Sequence, residues 1–180
     1  MRGSISRRYA RALIEVGIDK GSAEQLLEQV TEYADLYSES RELRNVLSNP
    51  AVKLEERRGL VRAIGAKAGW NQFVTNFGLL LLDNDRAKFL PGVALELSTM
   101  YDEHVGNVRA SVTSARDLSG SRIEEIKKAI ADMTGKNVIL ETEVNPELIG
   151  GVITRVGSVV YDGSVRNQLN NLRESILDEV

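Results

Sequence analysis

The sequence predicts a mostly α-helical protein, a compact all-helical N-terminal domain followed by a smaller α/β C-terminal domain. From Ile5 to about Val105 the apolar residues recur at helical spacing. After Asn107 the period drops from about 3.6 residues to 2, the change expected when strand replaces helix. Gly106-Asn107 separates the two regimes, so the expected domains are residues 1–105 and 106–180.

The first helical stripe is Ile5, Tyr9, Ala12, Leu13 and Val16, and Gly17 and Gly21 mark where it should fade. Ser22 is an expected N-cap whose side-chain oxygen takes a free backbone N–H. It opens a second stripe at Ala23, Leu26, Leu27, Val30, Ala34 and Tyr37. A short segment from Leu43 to Leu47 runs into Asn49-Pro50, where proline disfavours helix at the preceding residue. Leu54, Leu60, Val61, Ile64 and Ala68 make a fourth stripe; Phe73, Val74, Phe77, Leu80 and Leu81 make a fifth, with Gly69 between them. Leu82-Asp83-Asn84-Asp85 then supplies cap and turn residues. The last stripe is Phe89, Leu90, Val93, Leu97, Met100 and Tyr101, which tolerates Pro91 in its first turn.

In the second half, Val108, Ala110 and Val112 alternate with Arg109, Ser111 and Thr113 as a strand should. Ser121-Arg122-Ile123-Glu124 has capping-box spacing, Ile123, Ile126, Ile130 and Met133 form a helix face, and Gly135 is the expected stop. Val138 to Val144 is rich in strand formers and ends at Asn145-Pro146. Gly151 to Val156 and Ser158 to Tyr161 are expected to pair as a hairpin through Gly157. Asp162-Gly163 leads into a final helix, Ser164 to Asp178, with Val165, Leu169, Leu172 and Ile176 on one seam that is expected to pack on the sheet.

Composition narrows the function. With 23 basic and 26 acidic residues the net charge is −3, so no global positive field draws the chain onto phosphate backbones. Without cysteine it can hold neither a disulfide nor a zinc-thiolate site. The longest uninterrupted apolar run, Leu79 to Leu82, falls far short of the roughly 20 residues of a spanning helix. Arg2, Arg7, Arg8 and Arg11 precede the first acid, Glu15, as in some transit peptides, but these residues already carry a helical stripe continuous with the body of the chain.

No convergent catalytic set can be assembled from this inventory. The single histidine, His104, follows Asp102 and Glu103 at the polar end of a helix, where a cation complements the helix dipole. Gly135-Lys136 lacks the earlier glycine of a phosphate loop, since Ile130 stands there, and Asn137 replaces the hydroxyl residue. Gly150-Gly151 precedes a strand, whereas a dinucleotide fingerprint follows one. The carboxylate pairs Glu55-Glu56, Glu124-Glu125 and Asp178-Glu179 read as solvated faces. Neither catalytic, metal nor cofactor residues are expected. The alternative is a small α/β nucleic-acid-binding module using Arg155, Arg166 and Arg173, which no aromatic residue interleaves to form a stacking platform.

Several segments together resemble one family. Arg7-Arg8-Tyr9-Ala10-Arg11-Ala12-Leu13, Asn49-Pro50, Asn76-Phe77 to Asn84 and Arg86, and Val112-Thr113-Ser114-Ala115 are similar to the delta subunit of bacterial F-type ATP synthases, the relative of the mitochondrial oligomycin-sensitivity-conferring subunit. Leu148-Ile149-Gly150-Gly151-Val152 with Asp162-Gly163-Ser164-Val165 is the more specific part of the likeness. Two positions depart from the pattern: Gly78 stands where the family usually has a bulky apolar residue, and Ser158 where an acid is common. The resemblance implies a non-catalytic stator subunit, one copy per complex, peripheral at the cytoplasmic face of the bacterial plasma membrane. It implies that the N-terminal domain is a six-helix bundle that binds N-terminal helices of the head's alpha subunits in a groove between its first and fifth helices. It also implies that the C-terminal region meets the b subunits of the peripheral stalk. Carried onto this sequence, the groove lining comprises Tyr9, Ala10, Leu13, Phe73, Phe77 and Leu80.

Overall fold

The structure, a computed structural model, describes residues 2–146, 148–157, 159–167 and 169. The chain divides into two compact units, Met1–Tyr101 and Asp102–Val180. The first contains α1 (Arg2–Asp19), α2 (Ala23–Glu39), α3 (Arg41–Ser48), α4 (Leu54–Ala68), α5 (Gln72–Asp83) and a 3-10 turn (Ala87–Phe89), and most of α6 (Leu90–His104).

Local chemistry sets the helix ends. Ser40 Oγ accepts from Leu43 N at 3.1 Å to open α3, and Asn71 Oδ1 accepts from Phe73 N at 3.1 Å to open α5. Gly69, at φ 70°, ends α4 in the left-handed conformation that glycine enters without a Cβ penalty. Pro91 falls in the first turn of α6, where its missing N–H has no helical partner to lose. Ser22 differs from expectation: it precedes α2, but its φ and ψ of −127° and 23° are not extended, and its Oγ is buried without a partner. Only its carbonyl engages the helix, accepting from Leu26 N at 2.9 Å.

The core of this unit gathers Leu26, Val30, Leu47, Val61, Val74, Leu81, Leu90, Val93 and Leu97 around Tyr33. The Tyr33 and Trp70 rings lie 4.8 Å apart, and Trp70 Nε1 donates to Glu32 Oε2 at 2.7 Å, so the indole's polar edge is satisfied while its rings pack. Burial, and secondarily Tyr37, pushes the Tyr33 phenol well above its ordinary range, which keeps it neutral. The departure at Gly78 is explained here. A Cβ at this position would lie 2.9 Å from Val61 Cγ1 and 3.1 Å from Tyr33 Cε1, so the volume of a bulky residue on α5 is already filled from α2 and α4.

The inward face of α1 is also not the apolar stripe. Ser6, Ala10, Leu13, Ile14 and Gly17 are buried, while Ile5, Tyr9 and Val16 are half-buried and Ala12 is exposed. Small residues allow close approach: a Cβ on Gly17 would meet Ala23 Cα at 2.8 Å, and one on Gly92 would meet Ser6 Oγ at 2.7 Å. The buried face is thus turned by roughly one residue, about 100°, from the face that side-chain size selects.

The second unit holds β1 (Asn107–Ser114), α7 (Gly120–Thr134), β2 (Asn137–Val144), β3 (Val152–Val156) and β4 (Val159–Asp162), in a sheet of order β2-β1-β3-β4. β1 and β2 are parallel, with α7 as their crossover, and β1-β3-β4 is antiparallel. Ile130 of α7 packs with Ala110, Val138 and Val156 on one face of the sheet. α7 begins earlier than the capping-box spacing suggests: its N-cap is Ser119, whose carbonyl accepts from Ile123 N at 3.1 Å, and the Ser119 and Ser121 hydroxyls bond to each other.

The two sequence-remote glycine segments meet as a backbone clasp. Val165 N donates to Gly150 O and Gly163 N to Val152 O, both at 3.0 Å. Gly151 has φ +82°, and a Cβ there would lie 2.3 Å from Gly163 O. Ser164 closes the clasp: its N–H bonds Asp162 Oδ1 at 2.9 Å and its Oγ caps Asn167 N at 3.2 Å. Hydrogen bonds from the Ser164 hydroxyl and then its N–H hold the Asp162 carboxyl below the usual carboxylate range. A depressed native pKa means that this contribution is complete above the ordinary carboxylate value and fades as pH falls through the native one. Residues 165–167 and 169 continue as helix, with Val165 and Leu169 exposed rather than packed on the sheet. The rest of the expected final helix, including Leu172 and Ile176, lies outside the described residues, as does Ser158.

Two substitutions test these contacts. Gly78→Leu, overpacking Tyr33 and Val61, lowers stability by about 1–3 kcal/mol, read by urea unfolding on the fluorescence of Trp70, the only tryptophan. Gly151→Ala combines positive φ with a backbone clash and costs about 1–3 kcal/mol or more; faster hydrogen exchange at β3 and β4 amides, with an unchanged Trp70 transition, is the expected result.

Candidate partner-binding site on the helical unit

The six residues expected to line a groove divide into two sets. Tyr9, half-buried on α1, and Phe77 on α5 meet edge to face, with ring centroids 6.1 Å apart. This contact joins the two helices. Ala10 is 0% exposed, Phe77 is 5% exposed and Leu13 is also buried, so all three pack in the core of the helical unit. The division has one cause: on both helices the residues that close the core are those one helical position round from the surface ones. Phe73 and Leu80, by contrast, remain 39% and 48% exposed.

α5 is therefore apolar on more of its circumference than the core uses. Its inward face is Val74, Phe77, Gly78, Leu81 and Leu82, and its outward face still carries Phe73 and Leu80, seven residues and about two turns apart. On α1 the half-buried Ile5, Tyr9 and Val16 form the matching line. Ser6 approaches Gly92 in the first turn of α6, and Arg86, three residues past the end of α5, reaches Tyr9, which sets the N-terminal half of α1 beside the C-terminal end of α5. The Tyr9–Phe77 contact is where these two apolar lines meet.

Polar contacts that the residue pattern does not reveal hold Tyr9 and the C-terminal end of α5. Arg86 Nη1 donates to the Tyr9 hydroxyl at 2.7 Å, and its guanidinium lies 5.7 Å from the Tyr9 ring centroid; that of Arg8 lies 5.9 Å away. Arg58 bonds Asp83 at 2.8 Å and also Glu55, while the buried Arg57 reaches Asp85 Oδ1 and the Leu47 carbonyl, each at 3.4 Å. Asp85 adopts φ +52°. Asp83 at the end of α5 and Asp85 and Arg86 just after it are thus each tied to a different partner, and Tyr9 is held from two sides. The only signal for this in the sequence was the Asp83-Asn84-Asp85-Arg86 run, which reads as a turn.

An apolar trough that was not foreseen lies between α2, α3 and α4 and is lined by Leu36, Leu43, Val46, Leu60 and Ile64. His104 is exposed in the last turn of α6, and no group of three or more metal-ligating side chains occurs among the described residues. Gly135 is the left-handed cap of α7, and Lys136 follows the end of that helix instead of opening one, contrary to a phosphate loop. For the nucleic-acid alternative, Arg155 and Arg166 are exposed without an aromatic platform, and Arg173 lies outside the described residues. The relatives of this chain do not support that alternative.

The chain matches the family described as ATP synthase delta (OSCP) subunit over residues 5–176. It is 40% identical over 174 residues to the ATP synthase subunit delta of Anaeromyxobacter sp. (strain Fw109-5), covering 97% of each chain. It is 38% identical over 171 residues to that of Citrifermentans bemidjiense, covering 95% of each. In fold it is similar to a chain in the cryo-EM structure of the Toxoplasma gondii mitochondrial ATP synthase hexamer, with a TM-score of 0.73 and 23% identity over 96% of this chain and 97% of that one. Near-complete coverage in each comparison takes in both the helical unit and the clasped α/β unit, and the chain belongs to the ATP synthase delta (OSCP) subunit family.

Proposed function

We propose that the chain works as a static clamp in which the helical unit, acting as a six-helix bundle, takes N-terminal helices of the head's alpha subunits into the α1/α5 slot. The α/β unit, on this reading, meets the b subunits of the peripheral stalk. Membership of the delta (OSCP) family makes the chain a non-catalytic peripheral-stalk component of ATP synthase. One copy per complex, at the cytoplasmic face of the bacterial plasma membrane, completes the proposal. Attachment there runs through partners, since no helix among the described residues is long and apolar enough to cross a membrane.

The observation that carries the slot is the outward apolar surface of α5, where Phe73 and Leu80 stay exposed on either side of the buried Phe77. An amphipathic helix binds by laying i, i+3, i+4 and i+7 anchors into such a surface, and the apolar area removed from water supplies the driving force. The function is mechanical. Torque from the rotor would turn the head unless something held it, so the connector needs slow dissociation and stiffness instead of an active site.

Leu80→Asp and Phe73→Asp should each weaken binding of the full chain to a head complex stripped of this subunit by about 2 kcal/mol or more, measured by titration calorimetry. Both positions are exposed, so circular dichroism and the Trp70 unfolding transition should stay near wild type. Phe77→Asp is unsuitable, because burying a carboxylate there would unfold the unit. Wild-type affinity in both surface variants would end the slot proposal.

A further inference from the structure

An apolar slot alone does not fix the direction of the helix it takes, because anchors at i, i+3, i+4 and i+7 read much the same in either sense. The charges beside this slot do differ between its ends. Arg8, Ala12 and Glu15 are all exposed and stand along one line of α1, beside the half-buried line of Ile5, Tyr9 and Val16. Arg8 and Glu15 are two turns apart, about 10 Å along the axis. At the Arg8 end, Arg86 adds a second cation over the same tyrosine.

The other charges do not erase this difference. Asp83 and Asp85, at the Arg86 end, are engaged by Arg58 and Arg57. Asp19, one turn beyond Glu15, lies 3.7 Å from Lys20. Neither Arg8, Arg86 nor Glu15 forms an ion pair with another described residue. Glu32 accepts the Trp70 indole N–H two residues before α5 begins, which places a further acid at the end of α5 that carries Phe73. Gln72 and Asn76, on the exposed side of α5, bond to each other and are neutral. Arg11, exposed one turn before Glu15, and Lys20 offset part of the acidic charge at that end, but Glu15, Asp19 and Glu32 outnumber them, so the slot is more positive at its Arg8 end and more negative at its Glu15 end.

We propose that this polarity orients the docking helix: its acidic side chains lie over Arg8 and Arg86 and its basic side chains over Glu15, so that it seats in one direction. The inference rests on the slot reading above and adds the charge order of the partner. Opposed patches of this kind select orientation and register more than they add affinity. At physiological ionic strength the Debye length is about 8 Å, so two ends about 10 Å apart act nearly independently.

The test uses the full chain and the stripped head complex, comparing wild type with Arg8→Glu, Glu15→Lys and Leu80→Asp, with Trp70 fluorescence as the check on folding. Polarity predicts that Arg8→Glu and Glu15→Lys each weaken binding by about threefold to tenfold, the range expected of rim ion pairs. A uniform attraction of a basic surface to an acidic head predicts opposite signs, with Glu15→Lys binding more tightly. Opposite signs, or no effect from either charge reversal while Leu80→Asp still abolishes binding, would overturn the orientation proposal and leave the slot standing. If Leu80→Asp also binds as wild type, the slot itself is lost and the orientation with it.

Discussion

How closely α5 can approach α2 and α4 is the constraint on which the helical unit depends. Gly78 permits that approach, and Tyr33 and Val61 occupy the space where a side chain on α5 would otherwise stand. With Tyr33 packed at a tilt against Trp70 and the indole N–H bound to Glu32, one aromatic pair joins α2 to the loop that opens α5. Helix propensity argues against a glycine here by about 1 kcal/mol relative to alanine. Packing outweighs it, because an interior close-packed like a crystal has no vacancy for a second bulky group.

Seating α5 in this way has a consequence for its other side. The core is closed by Val74, Phe77, Gly78, Leu81 and Leu82, which leaves Phe73 and Leu80 without an internal partner. Single exposed apolar residues need no explanation, but two in line on one helix, beside a half-buried line on its neighbour, make a continuous surface. Arg57, Arg58 and Arg86 tie down the segment after α5, so the surface is held in shape by contacts that do not themselves fill it. A preformed surface lowers the ordering cost of binding.

The sequence made helix positions and the change of period at Asn107 legible, because both follow from spacing alone. It misread which face of α1 is buried. Ile5, Tyr9 and Val16 are large enough to draw the eye, whereas the helix closes through Ser6, Ala10, Ile14 and Gly17, whose small members matter by what they allow to come near. For the same reason Ala10, Leu13 and Phe77 are buried while Phe73 and Leu80 are exposed: periodicity identifies an apolar stripe, and only the neighbours decide which edge of it stays wet. The capping serines show a similar limit. Ser40 caps through its side chain and Ser22 does not, a difference of backbone torsion that residue type cannot express. The tie between Arg86 and Tyr9 spans 77 positions and leaves no trace in local pattern.

The co-occurrence of two glycine-containing segments in the α/β unit has a physical origin that extends the same reasoning. Gly150-Gly151 and Asp162-Gly163-Ser164 are conspicuous separately, yet each makes sense only against the other: a Cβ on Gly151 would strike the Gly163 carbonyl, and backbone hydrogen bonds join Gly150 to Val165 and Val152 to Gly163. Backbone packed on backbone leaves no rotatable side chain between the sheet and the start of the following helix, so that exit is set by peptide geometry. A part that transmits force benefits from such joints, since every flexible side chain interposed between two elements adds rotamers through which they can yield. In both units, glycine stands where another element already occupies the space of a side chain. For a chain of the delta (OSCP) family, whose work is to hold, those close contacts are nearer to mechanism than any titratable group it carries.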